Sequence, residues 1–217
     1  MTSLAFAVHR WEKAPMPGAS GPVELARLPD LADGAFRAFV RFPPGWERRA
    51  DGHYEAAEEF LVLSGSLTLE GAEYDTGAYG WIAARRPRHA MHSADGCLVY
   101  AWFGGMPLWR RGESPLGAAG SDHRFAHWRD APLRELDGGL RVRELNDGRG
   151  HRTWVAEAGV ADVPVAPGQA REVLEFASRS WHWDEPARGT GTRVVRLIDR
   201  APAPAAAEPQ DLQETRR

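Results

Sequence analysis

Cysteine is nearly missing from this 217-residue chain, with Cys97 the only one. A single thiol excludes an intrachain disulfide framework and a cysteine-built zinc site. It lies in the apolar run CLVYAWF and reads as a buried, inert side chain. Lysine is equally scarce: Lys13 stands alone and arginine carries the rest of the positive charge, a pattern read as codon bias rather than function. There is no excess of either charge, since the formal net charge is −3 and the pI about 6.2. That removes any general pull toward nucleic acid or anionic membranes. No run reaches the roughly 18–20 apolar residues that span a bilayer. The opening MTSLAFAVHRWEK has neither a basic region nor a long apolar stretch, so a soluble cytoplasmic protein is expected. Helical periodicity over 11 or more residues is also hard to find. AAGSDHRFAHWRDAPLREL could hold one helical turn.

What the chain does have is short apolar or alternating runs between its 16 prolines and 23 glycines. They are FRAFVRF (36–42), EFLVLSG (59–65), SLTLEG (66–71), YGWIAA (79–84), CLVYAWF (97–103), LRVREL (140–145), REVLEF (171–176) and RVVRLI (193–198). Each has strand length and is rich in β-branched or aromatic residues, which predicts an all-β sandwich or barrel. SLTLEGAEYDTG reads as a hairpin, with Leu67 and Leu69 on one face and a tight turn at Gly71-Ala72. WEKAPM (11–16) is echoed by WRDAPL (128–133), and GPVELARLPD (21–30) loosely by GLRVRELND (139–147). Two echoes in register suggest a duplication whose second copy is shortened. The expected division is 1–111, a linker over 112–126, a second repeat over 127–200, and a disordered Ala/Pro-rich tail over 201–217.

The chemistry concentrates in DGHYEAAEEFLVLSG (51–65). Asp51 and His53, two apart, share a face on an extended backbone. Glu58 opens the next strand on the face of Phe60 and Val62, while Glu59, Leu61 and Leu63 take the other. RRPRHAMH adds His89 and His92, which are three apart, so only one should point inward on a straight strand. Imidazole and carboxylate converging on one point suit a divalent cation with open positions. An inward Glu58 without a partner would cost several kcal/mol. Phe42, Trp46, Phe60, Val62, Trp81 and Trp102 are candidate walls of an apolar pocket for a small organic ligand. One of Arg85, Arg86 and Arg88 is a candidate anchor for a carboxylate or enolate.

These residues resemble the first cupin motif: Gly45, five residues, Asp51-Gly52-His53, four residues, Glu58, six residues, Gly65. Asp51 stands where the motif has its first His. Pro87-Arg88-His89, two residues, His92 is similar to the second motif, with Gly80, His89 and Gly96 departing from its glycines and asparagine. The likeness runs strongest over 40–110, toward bacterial cupins related to the C-terminal domain of the ChrR anti-sigma factor and to acetylacetone-cleaving dioxygenases. It implies a cupin barrel, a double-stranded β-helix or jelly roll, with a degenerate second cupin-like repeat. It implies metal ligands at His53, Glu58 and His92, with Asp51 in the fourth ligand position. The ion would be divalent, Fe2+, Zn2+, Mn2+ or Ni2+. It further implies a dioxygenase-type reaction on a small molecule or, alternatively, a non-catalytic metal- or ligand-sensing module, and pairing into a homodimer. The second repeat, without a His cluster, is expected to carry no metal and to serve as cover or a dimer surface.

Overall fold

The computed structural model describes residues 4–7, 10–31, 33–115, 123–148, 151–157, 163–185 and 191–199. The tail and residues 116–122 of the expected linker lie outside them. The described chain is strand after strand. The first half holds β1 (Leu4–Ala7), β2 (Glu12–Ala14), β3 (Val23–Arg27), β4 (Phe36–Phe42), β5 (Trp46–Arg48), β6 (Gly52–Tyr54), β7 (Glu58–Gly65), β8 (Leu67–Leu69), β9 (Ala72–Tyr74), β10 (Ala78–Ile82), β11 (Met91–Ser93), β12 (Cys97–Phe103) and β13 (Trp109–Arg111). The second holds β14 (His123–His127), β15 (Leu133–Leu136), β16 (Leu140–Gly148), β17 (His151–Ala156), β18 (Gln169–Glu175), β19 (Ser180–Trp183) and β20 (Arg193–Asp199). Within the stretch 118–136, where one helical turn was expected, a 3-10 turn forms over Trp128–Asp130. Among the described residues, no helix is long and apolar enough to cross a membrane.

Two seven-stranded sheets dominate, ordered β14-β10-β7-β12-β4-β3-β2 and β1-β19-β18-β20-β17-β16-β15. The orders correspond strand for strand. Two strands cross the expected division at 112–126: β14 pairs with β10, and β1 pairs with β19. On one face of the first sheet lies a smaller sheet, β5-β11-β8-β9, flanked by the pair β13-β6. Together they form the cupin barrel, with Phe42, Trp46, Phe60, Val62, Leu67, Leu69 and Phe103 inside. The other face of the first sheet packs on the second, where Phe39, Leu61, Tyr100 and Trp102 meet Leu145, Val155, Leu174 and Trp181. Trp11 and Trp128, the two echoed tryptophans, both pack against that inter-sheet core.

Strand alternation decides which side chain faces which layer. Along β7, Phe60 and Val62 point into the barrel, while Leu61 points into the inter-sheet core. Trp81 and Trp102 lie opposite Glu59 in register, so both leave the expected pocket wall for the inter-sheet layer. The β8–β9 hairpin forms as expected, but its turn sits one residue earlier, at Glu70-Gly71, because Leu69 pairs with Ala72. Both turn residues have positive φ, 54° and 82°, the signature of a tight turn that matches strand twist.

The inter-sheet layer contains a buried ionic chain. Glu59 accepts from Arg196, from Tyr79 at 2.6 Å and from Asn146 at 2.7 Å, with His151 Nε2 at 3.0 Å. Glu172 accepts from Arg196 at 2.8 Å, Arg37 at 3.0 Å, Trp181 at 2.6 Å and Tyr100. Arg37 is shared in turn with Asp33. Burial pushes the Glu172 carboxyl upward, but Arg37 and Arg196 pull harder and hold it at about 2. Glu59 is likewise pushed up by burial and carried well below the usual range by Arg196 and His151. Desolvation by burial raises the Tyr79 and Tyr100 hydroxyls, so both donate to carboxylates as neutral phenols.

Cys97 is buried in the barrel, and burial raises its thiol to about 11 against a hydrogen bond with Ser93. The native thiol should therefore resist alkylation at pH 8 and react fully in denaturant, measurable by timed iodoacetamide labelling.

Candidate ligand cavity in the first barrel

The barrel interior holds a partly open cavity of about 240 Å³. Its walls are apolar, with Phe36, Val40, Phe60, Ile82, Val99 and Ala101 prominent among them. Ala14 at the end of β2 and the loop residues 15–17 and Pro107 complete it. Four polar side chains interrupt this lining: Arg48, Tyr54, Glu58 and Arg88. Ala101 is small and sits opposite Phe60 in the β7–β12 register, which leaves room beside the ring.

Each polar group is placed by local structure. Glu58 begins β7 on the inner face, opposite Ile82 and Phe103. Arg88 lies after the last residues of β10, and its backbone exchanges hydrogen bonds with Gly52 at 2.8 and 3.1 Å, which ties the loop to β6. Its guanidinium pairs with Glu58 and lies 4.8 Å from the centre of the Tyr54 ring. Arg48 ends β5 on the inner face, donates to Tyr54 Oη at 3.2 Å and to Met91 Sδ at 3.5 Å, and stacks 3.9 Å from the Trp109 ring. Gly52 makes that stack possible: a Cβ there would fall on the Arg110 carbonyl and the Trp109 indole. Arg48 is 1% exposed and Arg88 3%, yet among the described residues Arg48 Nε and Arg88 Nε and Nη2 have no hydrogen-bond partner.

The four expected ligands do not converge. Glu58 alone lines the cavity, and its carboxylate is held by Arg88. His53 is buried one residue before Tyr54, outside the cavity lining, and its Nδ1 meets no hydrogen-bond partner among the described residues. Asp51 is exposed and meets His89 Nδ1 at 2.9 Å on the surface. His92 faces outward: in β11 it shares register with Glu47 and Thr68, while its neighbour Met91 shares register with Arg48 and Leu69 and takes the inner face. The three-residue spacing to His89 had allowed only one inward His; the register sends neither side chain into the barrel lining. Among the described residues, no group of three or more His, Cys, Asp and Glu side chains is arranged to hold a metal ion. The donor set therefore does not fit a metal.

Of the expected pocket wall, Phe42 and Phe60 line the cavity, and Trp46 and Val62 belong to the same core. Arg88 is the inward member of the arginine trio, while Arg85 and Arg86 pair with Glu55 and Glu70. The two Arg85 and Arg110 hydrogen bonds pull the exposed Glu55 carboxyl below its ordinary value. Arg48 and Tyr54 were missed. The signal was present: W-E-R over 46–48 alternates, so Arg48 had to share a face with Trp46.

No family model matches the sequence, and no curated protein does. Solved structures share the fold. A candidate dioxygenase from Nostoc punctiforme is 13% identical, with 94% of this chain and 85% of that one covered and a TM-score of 0.67. Protein Ylba from E. coli is 10% identical over 93% of each chain, with a TM-score of 0.59. Quercetin 2,3-dioxygenase from Acinetobacter baumannii is 14% identical, covering 90% and 85%, with a TM-score of 0.53. The chain thus has the cupin fold, as its motifs led one to expect.

Proposed function

We propose that this chain is a small-molecule-binding cupin, which takes a compact organic ligand into the first barrel, and that the second sheet is a reduced repeat serving as cover. The observation that carries the binding reading is the apolar cavity inside the barrel, whose polar side chains are Arg48, Tyr54, Glu58 and Arg88. Apolar walls with a few convergent polar groups are the usual makeup of small-molecule sites. Filling the space tests it without touching the polar groups. Ala101→Leu should weaken binding of small aromatic and aliphatic probes about tenfold or more by calorimetry, because the added methylenes occupy the ligand's volume, at a stability change of about 1–3 kcal/mol. Probe affinity unchanged in Ala101→Leu would sink the reading.

A metal-dependent oxygenase is the second reading. It draws on the motif resemblance and on the dioxygenase names of the Nostoc and Acinetobacter proteins. The pairing of Glu58 with Arg88 and the outward register of His92 weigh against it. Elemental analysis of protein purified without chelator is expected to find metal well below one equivalent. One equivalent of iron, nickel, zinc or manganese, lost in His92→Ala, would reverse the order of the two readings.

A further inference from the structure

We propose that the ligand of this cavity is an organic carboxylate, bound by the fixed positive charge of Arg48 and Arg88. This rests on the binding reading above. Among the lining residues there are two guanidiniums and one carboxylate, Glu58. Arginine cannot shed its proton, so the cavity carries one uncompensated positive charge. Three guanidinium N–H positions, Arg48 Nε and Arg88 Nε and Nη2, find no acceptor among the described residues although both side chains are almost wholly buried. Burying a charge without full pairing costs several kcal/mol, and a bound anion would offset that cost.

The arrangement also defines what the anion must look like. Glu58 takes Nη1 of Arg88, so a ligand carboxylate on Nε and Nη2 shares that guanidinium's charge with a protein carboxylate that repels it. Arg48 is braced by the Trp109 ring and the Tyr54 hydroxyl, which fixes its plane. The rest of the molecule must be apolar, because Phe60, Ile82, Val99 and Phe103 form the remaining wall. Short aliphatic and aromatic monocarboxylates meet both demands. Dianions meet only the first, since the cavity offers one net charge.

Matched probe pairs test this on the full chain: benzoate against benzamide, and hexanoate against hexanamide, by calorimetry. The carboxylates should bind about tenfold or more tightly than the amides, in keeping with the worth of hydrogen bonds to a charged group. Arg88→Gln should weaken the carboxylates by a similar factor and leave the amides nearly unchanged. Glu58→Gln should do the opposite, strengthening carboxylate binding several-fold by removing the charge that repels the ligand. A merely structural pair would weaken binding in both variants. Amides that bind as well as carboxylates overturn the anion proposal and leave the cavity reading standing. If neither series binds, the cavity reading falls and the proposal with it. Should Arg88→Gln fail to fold, Glu58→Gln still decides, because no gain in carboxylate affinity there overturns the anion proposal.

Discussion

Glu59→Ala is expected to destabilise the chain by about 3–5 kcal/mol, the usual effect of orphaning a buried charge. Arg196 is 3% exposed and Glu59 1%, so water cannot replace the lost carboxylate. Tyr79, Asn146 and His151 would lose their common acceptor in the same step. Urea denaturation with matched m-values gives the number. An exposed pair supplies the scale: Arg27 and Asp30 have side chains 47% and 75% exposed, and Asp30→Ala should change stability by about 0–1 kcal/mol. The double variant Glu59→Met with Arg196→Met should be less damaging than Glu59→Ala alone, because it removes both charges and keeps the volume. A loss below about 1 kcal/mol in Glu59→Ala would mean that the layer between the sheets is wet.

Acid should unfold the protein through the same layer. Glu172 is held at about 2 against an ordinary 4.5, and Glu59 is also depressed. A carboxyl depressed in the fold binds protons more readily in the unfolded chain. Its contribution is complete above about 4.5 and disappears as pH falls through the folded value. For Glu172 the window runs from about 4.5 to about 2, and the loss is on the order of 3 kcal/mol. Thermal midpoints measured from pH 6 to pH 2 should drop steeply in that window. Glu172→Gln should lower the plateau near neutrality and flatten the slope. An equally steep slope in Glu172→Gln would assign acid sensitivity to other groups.

The strands were largely legible. FRAFVRF and CLVYAWF are strands over the residues read from the sequence, because β-branched and aromatic residues between turn signals leave few alternatives. Parity along β7 was legible too, and it placed Glu58 inward and Glu59 outward. What parity could not tell is that outward means buried under a second sheet. That depends on Arg196 and Glu172, more than 100 residues away in the chain, and pairings so distant leave no local pattern. The site failed for a related reason. Motif spacing located Glu58, but the face taken by His92 is set by its pairing with Glu47 and Thr68, and one residue of register exchanges it for Met91. The arginines that line the cavity had no motif of their own. Arg88 was found only because it stood beside the histidines, and Arg48 was hidden among other arginines.

The crossing of β1 and β14 bears on how the molecule is made. Leu4 pairs with Trp183, so the earliest described strand finds its neighbour only after about 180 further residues have left the ribosome. The first barrel in turn lacks the edge beside β10 until His123–His127 arrives. Neither half can finish its own hydrogen-bonded border, so closure is a late, joint event. A nascent chain halted between the halves would show open ladder groups on Tyr79 and Trp81, an invitation to chaperones or to a sister chain.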